Sequence, residues 1–130
     1  MRLIMMKDIN AEEKIRSKYE QNMRKNEDAL LAMRNKEKEL EIQEDNLHTT
    51  RTHLLRYCEE QRERYVGTDE MLRYNRMESD VHELTAISRK LIDKEYEELE
   101  KEKKRLYKQH EKYYEEYQSE IRTYHNKEDT

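Results

Sequence analysis

The sequence has 130 residues, 45% of them Asp, Glu, Lys or Arg, a formal net charge of -4, one Gly, and no Pro, Trp or Phe. With only 33% hydrophobic residues there is little material for a globular core that removes most apolar surface from water, and the scarcity of turn formers leaves few places where the chain can reverse. Both signs of charge are interspersed throughout, which gives no basic footprint for nucleic acid, and no run approaches the roughly 18 apolar residues of a membrane-spanning helix, so no membrane insertion is expected.

Disorder competes with helix for so charged a chain. Two features favour helix. The common residues are Leu, Met, Glu, Lys, Arg and Gln, all good helix formers, and the apolar ones recur periodically. The expected fold is therefore all-α, a long antiparallel two-helix hairpin of coiled-coil type. In chain order it comprises an N-terminal tail over 1–9, helix 1 over 10–66, a turn at 67–68, helix 2 over 69–125 and a C-terminal tail over 126–130, all in one domain.

Helix 1 has a readable start, because Asn10 followed by Glu13 resembles a capping box that satisfies orphan backbone donors. From there Tyr19, Met33, Leu40, Leu47 and Leu54 share one column of seven-residue spacing, interrupted by Asn26. The companion column is poorer. It reads Met23, Leu30, Glu37, Glu44, Arg51, Cys58 and Tyr65, with three consecutive charged layers. Burying unpaired charge is costly, so this helix looks incomplete without a partner. The single Cys58 excludes an internal disulfide and reads as a small apolar seam residue.

Gly67 stands near the midpoint. A glycine just past a helix end adopts the left-handed cap, and Thr68, Asp69 and Glu70 supply a cap and first-turn acids for a new helix. Helix 2 then carries Met77, Leu84 and Leu91 in one column, handing over to Ile92, Leu99, Leu106 and Tyr113. Beside it lies a tyrosine-rich column with Tyr96, Tyr117 and Tyr124, suited to a half-wet interface by its apolar rings and polar tips. Folding back at Gly67 brings position i near 134 minus i, so that Tyr19 is expected near Glu115 and Leu47 near Ile87.

Signatures of catalysis are missing from the sequence. It has no Gly-rich phosphate loop, nucleophile elbow, Cys-x-x-Cys or His-Glu-x-x-His. Glu44 with His48, and Glu78 with His82, sit four apart, a spacing that reads as a local hydrogen bond or ion pair before it reads as half a metal site. No enzyme activity, catalytic residue, metal or cofactor is expected.

Tyr65-Val66-Gly67, followed by Leu72, Tyr74 and Met77, resembles the hairpin turn of the Trp-x-Gly family, the small helical-hairpin proteins of type VII (ESX) secretion systems, with tyrosine in place of tryptophan. In length and charge the chain is similar to the small hairpin proteins that accompany larger LXG-type toxins. The resemblance implies that Tyr65, Gly67 and Thr68 close the turn, and that Tyr124 and Glu128 match the family's C-terminal Tyr-x-x-x-Asp/Glu export motif. Independently of the resemblance, the seven-residue columns lead to the expectation that Tyr19, Met33, Leu40, Leu47, Leu54, Leu84, Leu91, Ile92, Leu99, Leu106, Tyr113 and Tyr117 form a partner-binding seam. The function that the resemblance implies is that of an adaptor or targeting chaperone. It would bind the helical domain of a larger effector, with or without a second small hairpin protein, reside in the cytoplasm before export, and leave without a cleaved signal peptide. The alternative from another class is a coiled-coil stalk or scaffold, such as a flagellar-type export stalk or a prefoldin-like holdase.

Overall fold

The computed structural model describes residues 2–128, with side chains for 10–127. Two helices, α1 (Arg2–Arg64) and α2 (Glu70–Glu128), make up nearly all of it, and no strand occurs among the described residues. They pack against each other as an antiparallel hairpin. The reversal occupies Tyr65 to Asp69, and its cause is Gly67, whose φ of 79° is a conformation that costs an L side chain about 1–2 kcal/mol.

Thr68 does something other than start α2. Its hydroxyl donates to the carbonyl of Tyr65 at 2.7 Å, reinforcing its own backbone N–H to the same oxygen at 3.1 Å. The side chain thus closes the end of α1, whose last carbonyls would otherwise lack partners. The start of α2 rests on backbone bonds, Met71 N–H to Thr68 C=O and Leu72 N–H to Asp69 C=O, with Glu70 in the first turn.

The helix ends differ from the sequence expectation. The helix α1 runs through Asn10 from Arg2, so Asn10 and Glu13 sit inside a helix and residues 2–9 are no tail. No Gly or Pro interrupts Leu3-Ile4-Met5-Met6-Lys7, and a cap-like residue without a breaker does not force a start. The helix α2 likewise continues to Glu128, past the expected tail boundary at 126.

The contacts divide the chain into two compact units, one formed by residues 1–34 with 100–130 and the other by residues 35–99. In the first, Leu106 and Asn26 are buried, and the Asn26 amide donates to the carbonyl of Leu106 at 3.0 Å. Tyr19 stacks on Tyr117 with centroids 4.4 Å apart and also touches Tyr114, either side of the expected Glu115. In the second unit the buried apolar side chains are Leu40, Cys58, Val81, Ile92 and Leu99. Leu47 lies beside Ile92, beyond the expected Ile87. The offset follows from the turn, where Tyr65 stacks on Tyr74, a full helical turn into α2, at 5.8 Å.

Candidate functional site

The residues expected to form a partner-binding seam separate into two groups by their burial within the hairpin. Leu40, Ile92, Leu99 and Leu106 are buried, and Tyr19, Met33, Leu47, Tyr113 and Tyr117 are half-buried, all on inward helix faces. Leu54, Leu84 and Leu91 are not in the hairpin seam. They are 40%, 64% and 61% exposed.

The inward line of α2 in the second unit is Tyr74, Glu78, Val81, Thr85, Ser88 and Ile92. Small and polar residues occupy it while Leu84, Ile87 and Leu91 face outward. The physical reason is helical phase. Counting back from Ile92 in steps of four and three gives Ser88, Thr85 and Val81, and a rigid helix whose phase is fixed by buried Ile92 and Leu99 cannot also turn Leu84 and Leu91 inward. Thr85 deals with its polarity locally, donating to the Val81 carbonyl at 2.6 Å.

The three charged layers of α1 also need correction. Glu44 is exposed, while Glu37 and Arg51 are half-buried, because the inward line past Leu47 steps to Arg51, Leu55 and Cys58. The Arg51 Nε is buried without a hydrogen-bond partner.

Two grooves flank Leu47 and Ile92 in this unit, and their chemistry is opposite. One is lined by Glu44, Asp45, His48, Arg89 and Asp93. The other, of about 490 Å³, is lined by Gln43, Asn46, Leu47 and Thr50 from α1 and by Ser88, Leu91, Ile92 and Glu95 from α2. Only one of its eight lining residues is charged, in a chain where 45% are. The uncharged strip extends toward the turn by helical spacing, through Leu54, Tyr57 and Gln61 on α1 and Leu84 and Met77 on α2. Sequence reasoning missed this strip, although its signal was present: positions 43, 47, 50, 54, 57 and 61 alternate steps of four and three and carry no charge.

The expected turn residues do come together. Tyr65 and Gly67 form the turn with Tyr74 packed beside them, and Tyr57 meets Tyr74 edge-on at 6.1 Å. Burial lifts the Tyr74 phenol above its ordinary pKa, with Tyr57 adding to the shift. At the other end of α2, Tyr124 is half-buried and contacts His125, so it does not lie on a freely exposed face, and the side chain of Glu128 lies outside the described residues.

Burial, then Glu78, raises the Cys58 thiol, against a smaller opposing effect of Arg62. Burial followed by the carboxylates of Glu44, Glu41, Glu37 and Asp45 raises Tyr96. His82 Nε2 stands 3.7 Å from a Glu78 oxygen, the local pairing that the four-residue spacing suggested. No group of three His, Cys, Asp or Glu side chains placed to hold a metal ion occurs among the described residues, and none of their helices is long and apolar enough to cross a membrane.

No protein-family model matches the chain, and no curated protein or solved structure matches it either.

Proposed function

We propose that this chain is a non-enzymatic helical adaptor that completes its packing against helices of a larger protein. The observation that carries the reading is the outward line of Leu84, Ile87 and Leu91 beside Leu54 and Tyr57. Leu84, Ile87 and Leu91 lie on a helical face turned away from the hairpin's own seam, with Tyr57 at the seam's edge against Tyr74, and full burial would contribute up to about 1.5–3 kcal/mol for each Leu or Ile. Lone exposed leucines are ordinary; aligned ones, amid charged flanks, mark an interaction surface.

Within this reading, the chain is the small partner of a type VII effector of the LXG kind, held in the cytoplasm and exported with it or after delivering it. The resemblance of Tyr65-Val66-Gly67 to the Trp-x-Gly turn supports this, together with the positive φ at Gly67 and the Tyr74 ring packed on Tyr65. Tyr124 and Glu128 are one helical turn apart near the chain end, at the spacing of the export motif. Replacing both with Ala is expected to leave helical content and partner binding unchanged while secretion of the effector falls sharply. Normal secretion with the doubly substituted protein would remove the type VII role and leave the adaptor. A chain that sediments alone at native levels after crosslinking in its own host would remove the adaptor as well.

A further inference from the structure

We propose that the uncharged groove of the 35–99 unit holds one amphipathic helix of the partner, apolar on its buried face and basic on the flank that meets α2. This rests on the adaptor reading and adds the chemistry of the bound segment. The strip follows alternating steps of four and three residues on both helices, from Gln43 to Gln61 on α1 and from Met77 to Leu91 on α2. That is the seam a third helix requires for knobs-into-holes packing. It spans about 27 Å on α1 at about 1.5 Å per residue, which matches a guest helix of about 18 residues.

Charge selects the guest. On the α2 side, Glu95 is the one charged residue lining the groove and Asp80 stands one turn before Leu84, while Arg76 and Lys94 lie further round the helix; neither carboxylate takes part in an ion pair among the described residues. A second copy of this chain is the poorer occupant. Two-fold packing would confront Asp80 and Glu95 with the same carboxylates. Lys or Arg on the flank of a foreign helix would instead neutralise both acids while its apolar face covers Leu84 and Leu91.

The test uses the full chain and two fluorescent synthetic helices of about 18 residues, alike in their leucine face and differing in Lys or Glu flanks. Binding is read by anisotropy at low salt. The Lys-flanked helix is expected to bind at least about tenfold tighter than its twin. Asp80→Lys with Glu95→Lys should abolish that preference, while Asp45→Lys with Glu59→Lys, the same change in net charge away from the strip, should retain it. Leu84→Gln with Leu91→Gln, at exposed sites, should remove binding with the circular dichroism unchanged. Equal loss of preference in both charge-reversed proteins would reduce the effect to net charge and overturn the proposal, as would binding that survives the Leu84 and Leu91 substitutions or no binding at all. A concentration-dependent dimer that those two substitutions dissolve would assign the groove to a second copy. If the native effector is still retained by the Leu84→Gln, Leu91→Gln protein, the groove assignment fails and the adaptor stands; if no effector associates with the native chain, the adaptor itself fails.

Discussion

Asn26 is the one buried polar residue among the described residues, only 3% exposed, and replacing it with Leu should stabilise the protein. Its amide nitrogen donates to the Leu106 carbonyl at 3.0 Å, but its Oδ1 is buried without a partner. Flipping the amide would not help, since Oδ1 would then face another acceptor. The bond contributes about 0.5–1.5 kcal/mol, and the orphaned oxygen costs about 1–3 kcal/mol. A buried Leu adds about 1.5–3 kcal/mol of apolar burial. The mid-values sum to about 3 kcal/mol, and fitting the larger leucine into the layer costs about 1 kcal/mol, so Asn26→Leu is favoured by about 2 kcal/mol, whereas Asn26→Ala, which gains little burial, should change stability by less than about 1 kcal/mol. Urea unfolding followed by circular dichroism measures both, with the slope checked for constancy. The stabilisation should come with a loss of specificity, because a polar residue in an apolar column fixes register. With Leu at this position the column is apolar from Tyr19 through Met33, and distances between spin labels at Arg24 and Lys108, both exposed, should broaden. Destabilisation by more than about 1 kcal/mol would show that Oδ1 has a partner in solution and that this account of the layer is wrong.

Two further outcomes follow from the turn end of the hairpin. Gly67→Ala should destabilise by about 1–2 kcal/mol through backbone conformation alone, since a Cβ at Gly67 meets nothing within 4 Å, and Gly67→Asn should cost less; equal stability of the Ala variant in urea would contradict the positive φ. Cys58 is 0% exposed and should react with a thiol reagent at pH 8 only as fast as the protein opens, so rapid labelling of the native chain would refute its burial. Because burial raises the folded-state pKa of this thiol, its contribution to stability is fully present below the ordinary thiol pKa and is lost as pH rises above it. There the unfolded chain releases a proton that the native one retains, and an unfolding free energy that grew between pH 8 and 10 would contradict the shift.

The hairpin was legible because its signals were local and unopposed: one glycine followed by Thr68 and acids, between two long stretches of helix formers. The inward face of the hairpin itself was legible wherever it coincided with the most apolar column, at Leu40, Leu47, Ile92, Leu99 and Leu106. Reading failed where those two properties diverged. At Leu84 and Leu91 the leucines suggested a seam, yet helical phase placed Val81, Thr85 and Ser88 inside, and hydrophobicity alone does not say which of two stripes faces the neighbouring helix. The start of α1 failed for a related reason. Asn10 and Glu13 have the chemistry of a cap, but caps act at ends that something else creates, and nothing before Asn10 breaks the helix.

The divergence at Leu84 and Leu91 also bears on what the hairpin is for. If selection acted only on the stability of the free chain, exchanging outward Leu84 with inward Thr85 would be favourable, since a buried Leu contributes about 1.5–3 kcal/mol that an exposed one does not, and Thr85 must satisfy its hydroxyl against Val81. The inward positions of α2 instead carry side chains that hold the helices together weakly, with Thr85 and Ser88 between buried Val81 and Ile92. The strongest apolar side chains of this stretch face the other way. A hairpin arranged like this is least stable as a free chain and gains most when the outward strip is covered. Covering it would also desolvate the edge of the neighbouring seam at Leu47 and Ile92, which border the same groove. In the proposed complex, binding and folding would be coupled through these shared residues, so substitutions on the strip should reduce the stability of the complex far more than that of the free chain.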